Sequence, residues 1–140
     1  MSTILLVDDH HALRTVFGEI LRWKGHTVLE AGTAADVEHL AAQHAGSIDC
    51  SVIEAVLSTG NGVEIEKRIR SRHPHSKVLF ISERHADELK LHGLLPPGGR
   101  FLRKPFAADE FTQAVEDALQ AREESPSAPP ARNRSAASGQ

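Results

Sequence analysis

The chain has 140 residues, enough for one domain with a sizeable core and too few for two comfortable ones. Hydrophobic residues at 40%, charged residues at 25% and a formal net charge of -3 are ordinary for a soluble globular protein, with no broad electrostatic pull toward nucleic acid or an anionic membrane. The single cysteine, Cys50, excludes an internal disulfide, and in "MSTILLVDD" acid interrupts the apolar run too soon for a signal peptide or membrane span, so a cytoplasmic location is expected.

Residues 3–7, "TILLV", form a short apolar run ended by acids, as suits a strand covered on both faces of a parallel sheet. From His10 to Lys24 the residues Leu13, Val16, Phe17, Ile20 and Leu21 recur at three- and four-residue steps, which predicts a helix with that stripe in the core, closed by Gly25. "TVLEA" reads as a second strand, 33–45 as a helix begun by Thr33, 50–54 as a third strand, and 62–73 as a helix stopped before Pro74. A fourth strand at 77–81, a weak helix near 84–91, a short strand at 100–102 and a helix over 107–122 follow, the last with Phe111, Val115, Ala118 and Leu119 on one side. Strand and helix alternate throughout, which predicts an open, doubly wound α/β fold in one domain over 1–122. The remaining 123–140, rich in Pro, Ala and Ser, have no large apolar residue to offset the entropy of ordering and are expected to be a disordered tail.

In such a sheet the functional crevice lies outside the carboxyl ends of the strands. Residues falling there are Asp8 and Asp9 after the first strand, Glu54 at the third, Ser82 after the fourth and Lys104 after the fifth. Each alone has a structural explanation: Asp9 as a cap of the first helix, Glu54 and Ser82 as polar strand ends, Lys104 as a solvated charge in a turn fixed by Pro105. Together they bring three carboxylates, a hydroxyl and an ammonium to one edge, a set that suits Mg²⁺ and a phosphoryl group. The nine histidines have no zinc-type spacing, so no histidine metal site is expected.

"ILLVDDH", the turn "GNG", "VLFIS" and "FLRKPF" resemble the receiver domain of two-component response regulators over residues 3–121. "HGLLPPGGRFLRKPF" is similar to receivers appended to hybrid sensor histidine kinases. The resemblance implies a bacterial phosphorelay role and a five-stranded parallel, flavodoxin-like (βα)5 fold with strand order 2-1-3-4-5. It also implies Mg²⁺ held by Asp8, Asp9, the acceptor position Glu54 and the backbone carbonyl of Val56, phosphoryl oxygens steadied by Ser82 and Lys104, and a switch aromatic at Phe101. The alternative for Phe101 is a plain core aromatic.

Glu54 stands where the family's acceptor is aspartate. The extra methylene moves the carboxylate by more than about 1 Å, a misplacement that can cost on the order of 10²-fold in rate, so ordinary phosphotransfer is expected to be badly impaired. It also carries the carboxylate toward Ser82 and Lys104, a partial imitation of the phosphorylated form, although with one negative charge against about 1.5 to 2 for phosphate. Ser58 replaces a usual proline, and Glu83 replaces a usual small residue, which adds bulk and charge at the phosphate's entrance. Mg²⁺ binding is therefore expected to be weaker and altered.

The reading that follows is a stand-alone receiver acting mainly as a protein-interaction module, with phosphorylation lost or mimicked by Glu54 and no enzymatic activity beyond slow self-phosphorylation or dephosphorylation. Its expected partner is a histidine kinase or other signalling protein docked on the fourth strand, fifth strand and last helix, with no nucleic acid, no membrane, and a monomer or weak dimer through the last strand and helix. The alternative is a receiver that still takes phosphate from a histidine kinase and switches. A nucleotide binder on the same fold has against it the lack of a "GxxxxGK" or "GxGxxG" loop after the first strand.

Overall fold

The computed structural model describes residues 1–44 and 46–121. The tail expected over 123–140, with the expected helix ends at Ala45 and Arg122, lies outside the described residues. Five strands, β1 (Thr3–Val7), β2 (Thr27–Ala31), β3 (Cys50–Glu54), β4 (Lys77–Ser82) and β5 (Phe101–Arg103), alternate with helices α1 (His11–Trp23), α2 (Ala34–Gln43), α3 (Gly62–Arg72), α4 (Ala86–Leu91) and α5 (Ala108–Gln120). The strands form one parallel sheet in the order β2-β1-β3-β4-β5. This is the doubly wound, flavodoxin-like order.

Alternation along the buried strands divides their apolar residues between the two faces of the sheet. Ile4, Leu6, Val52, Leu79 and Ile81 meet Phe17 and Leu21 of α1 and Phe111, Val115 and Ala118 of α5. Leu5, Val7, Ile53 and Phe80 meet Val37 of α2, Ile65 and Ile69 of α3, and Leu89 of α4. Both faces are thus covered, which is why the strands read as continuous apolar runs rather than alternating ones.

Local signals set the helix starts. Thr33 Oγ1 accepts from Asp36 N–H at 3.1 Å, and Asn61 Oδ1 from Glu64 N–H at 2.9 Å. The cap of α1 is His10, whose Nδ1 accepts from Leu13 N–H at 3.2 Å, and not Asp9, whose carboxylate is drawn to Ser58 N–H at 2.8 Å. Val16, expected in the core stripe, is 50% exposed. It sits about 100° round the helix from Phe17, on the side away from Leu21. The glycine turn expected after Glu54 contains a short hairpin, Val56–Leu57 paired antiparallel with Gly60–Asn61. Among the described residues no helix is long and apolar enough to cross a membrane.

Candidate functional site at the carboxyl ends of the strands

Register brings the strand ends together. Val7 lies beside Ile53, Glu54 beside Ile81, and Ser82 beside Arg103, so residues at or just past those positions share one edge. Asp8 is buried there and fixed on three sides: its N–H donates to Ala31 O at 3.1 Å, its Oδ1 accepts from His10 N–H at 3.0 Å, and its carbonyl accepts from Arg14 Nη1 at 2.7 Å. Lys104 is placed by its own N–H, which donates to Ser82 O at 2.8 Å.

The centre of the site is the Lys104 ammonium. Its Nζ donates to Asp8 Oδ2 at 2.8 Å and pairs with Glu54 Oε1 at 2.7 Å, and all three side chains are buried. Charge-assisted contacts of this length are strong, and a buried ammonium without them would be unstable. Burial alone would lower the Lys104 pKa, but its hydrogen bonds to Asp8 and Glu54 outweigh that and raise it, so the lysine stays charged. Glu54 uses its second oxygen, Oε2, to accept from Val56 N–H at 3.2 Å. The ring of Phe17 lies under Nζ at 6.0 Å, itself packed with Phe106 and Phe111 at centroid distances of 5.0 and 5.2 Å.

The structure does not gather every expected residue equally. Asp8, Glu54 and Lys104 meet directly. Asp9 is exposed, and its bond from Ser58 N–H holds its carboxyl below the usual carboxylate range despite an opposing effect of desolvation. The Ser82 hydroxyl accepts from Arg84 N–H at 3.2 Å, so the Glu54 carboxylate engages the lysine and its own loop rather than the serine. Val56 lies in the short hairpin opposite Asn61, and Phe101 is half-buried against the core next to its strand partner Phe80. Glu83, Arg103 and Lys104 line a cleft of about 530 Å³ together with Phe17 and Phe106.

One contributor was missed from sequence. Arg14 clamps the Asp8 carbonyl while pairing with Glu30 at 3.3 Å, a contact across two elements that carries no local signature. Gly62, by contrast, which is tight against the end of β3, was flagged by the "GNG" turn.

Asp8, Asp9, Glu54 and the Val56 carbonyl are the hard oxygen donors Mg²⁺ prefers. Yet among the described residues no group of three or more His, Cys, Asp or Glu side chains is gathered to hold a metal, and the ammonium occupies the space between Asp8 and Glu54. The donor chemistry fits Mg²⁺, while a cation here competes with Lys104.

A family model described as the response regulator receiver domain matches residues 4–116. The chain is 28% identical over 121 residues to the sensor kinase CckA of Brucella abortus, covering 85% of this chain and 13% of that one. It is 30% identical over 119 residues to the DNA-binding transcriptional activator DevR/DosR of Mycobacterium tuberculosis, covering 84% and 54%. The chain thus spans less than two thirds of either relative. Among solved structures, the receiver domain of the hybrid histidine kinase CckA matches with a TM-score of 0.71 and 28% identity over 85% of this chain and 100% of that one. A response regulator receiver protein from Sinorhizobium medicae matches with a TM-score of 0.74 and 28% identity over 87% and 97%.

Proposed function

Since this chain belongs to the response regulator receiver domain family of two-component signalling, we propose that it acts mainly as a protein-interaction module whose phosphoacceptor position has been silenced or mimicked by Glu54. One observation carries this reading: the Glu54 carboxylate is already bonded to Lys104 at 2.7 Å, the group that would otherwise meet an incoming phosphoryl oxygen. An aspartate nucleophile needs a free carboxylate oxygen aimed at the phosphorus. Glu54 has one oxygen on the lysine and the other on Val56 N–H.

Asp8, Asp9, Glu54 and the Val56 carbonyl would hold Mg²⁺ weakly, because the cation must displace the lysine from the carboxylates. When bound, it would supply charge neutralisation beside a phosphoryl group. The partner is a histidine kinase or another signalling protein, and the docking face is β4, β5 and α5, with Phe101 as the aromatic that responds to changes around Ser82. Catalysis beyond slow self-phosphorylation is not part of the reading.

The test is incubation with Mg²⁺ and acetyl phosphate or beryllofluoride, read by intact mass and two-dimensional NMR, on the natural protein and on Glu54→Asp. The expected outcome is a response in Glu54→Asp alone, with tighter Mg²⁺ binding in that variant. The retained Asp8 and Lys104 favour a second reading, a slow phosphoacceptor that still switches. A stable adduct or a shift around Phe101 in the natural protein would establish it and sink the first.

A further inference from the structure

At the opposite end of the sheet a cavity of about 390 Å³ opens between α3, the amino end of β4 and the 96–100 segment that leads into β5. That volume falls in the range of small-molecule sites. Its walls divide by chemistry. Val78, Pro96 and Pro97 give an apolar side, and Arg70, Lys77 and Arg100 face Glu66, the one carboxylate among the described lining residues. Three cations against one acid leave a local positive surplus on a chain whose formal net charge is -3.

The polar atoms point the same way. Among the described residues, the buried side-chain atoms without a hydrogen-bond partner are Ser51 Oγ, Glu66 Oε2 and Arg70 Nε, and all three collect here. Glu66 and Arg70 line the cavity, while Ser51 lines an adjoining void of about 10 Å³ that shares both residues with it. Glu66 Oε2 and Arg70 Nε lie 2.6 Å apart and pair with each other, so of the three only Ser51 Oγ lacks a partner.

The rim is preformed. Gly98 turns the chain at φ 74°, Gly99 N–H donates to Pro96 O at 3.0 Å, and a Cβ on Gly99 would come within 3.0 Å of the Pro96 ring. Two prolines and this turn leave little conformational freedom to lose on binding.

We propose that this cavity is a binding site for a small organic anion with an apolar body, its carboxylate, phosphate or sulfonate meeting Lys77, Arg100 and Arg70 and its body lying on Val78 and the prolines. The cavity and the carboxyl-end site lie at opposite ends of the same two strands. Phe80 N–H donates to the Arg100 carbonyl at 2.9 Å, and β4 and β5 carry Ser82 and Lys104 at or just past their far ends.

The experiment is an NMR amide titration of the full chain with phenyl phosphate, with inorganic phosphate and phenol as partial probes. Phenyl phosphate is expected to shift amides of residues 75–78 and 98–101 saturably, and each partial probe to bind at least about tenfold more weakly, as loss of a charged hydrogen bond or of apolar contact implies. The double variant Lys77→Gln with Arg100→Gln is expected to keep its dispersed spectrum and lose at least about tenfold in affinity. Arg100→Gln alone serves if the double variant unfolds. The proposal is overturned by no saturable shift, by shifts confined to the surroundings of Asp8, Glu54 and Lys104, by equal binding of either partial probe, or by undiminished affinity in the variant.

Discussion

Lys104 shows how one side chain both stabilises the site and restricts its chemistry. Its ammonium is shared by Asp8 at 2.8 Å and Glu54 at 2.7 Å, so removing it leaves two buried carboxylates facing each other without a counter-charge. Breaking a buried pair from one side costs about 3–5 kcal/mol, because the abandoned charge keeps its desolvation penalty. Lys104→Met should therefore lower stability by about that amount in urea denaturation near neutral pH, whereas Glu54→Gln, which keeps the Lys104–Asp8 bond, should cost clearly less. A loss below about 1 kcal/mol for Lys104→Met would mean that water already screens the cluster. The sign with pH follows from the raised Lys104 pKa. The ammonium's contribution is complete below its ordinary value of 10.5 and is lost as pH rises through the higher folded value.

The turn from β3 into α3 sets where Glu54 stands, and its tightest point is Gly62. Gly62 N–H donates to Ala55 O at 2.9 Å, and a Cβ added there would meet the Glu54 carbonyl at 2.9 Å, Ala55 Cα at 3.1 Å and Ile53 Cγ2 at 3.1 Å. Two of those contacts are backbone, which cannot swing aside as a flexible side chain can. Gly62→Ala is expected to destabilise by about 1–3 kcal/mol, the usual cost of overpacking, and to shift the amides of Glu54 and Ala55. An unshifted spectrum with full stability would show that α3 can slide outward freely. Elements of this kind were only partly legible in the sequence. Thr33 announced its helix because its hydroxyl is a common cap, while His10 did not, since an imidazole cap depends on which neighbour takes Asp9. The two-residue strands of the hairpin were hidden because a pair of residues carries no period.

At the scale of the whole molecule, burial on both faces of a parallel sheet made the strands readable as apolar runs and the helices as stripes, so the open α/β class followed from alternation, while the strand order came only from the family resemblance. The site was legible as a set of strand-end residues but not as a geometry. Asp8 and Lys104 are 96 positions apart, and the choice of Glu54 for the lysine over Ser82 depends on register and loop hydrogen bonds. Cys50 gives a probe of the same two-faced core. It lies fully buried in β3, where burial, helped by Asp49, pushes its thiol up to about 12 against opposing pulls from Arg100 and Lys77. The unfolded chain ionises near the ordinary value of 9.0, so this contribution to stability is complete below pH 9.0 and drains away as pH rises toward about 12. The thiolate is the reactive form, so native Cys50 should be inert to a thiol reagent at about pH 8 and react only through opening of the sheet. Its labelling rate should rise with urea in step with global unfolding, because β3 is the central strand and cannot open alone. Prompt stoichiometric labelling of the native protein would show instead that one face of the sheet opens locally, and α1 and α5, which pack over Cys50, would be the elements that lift.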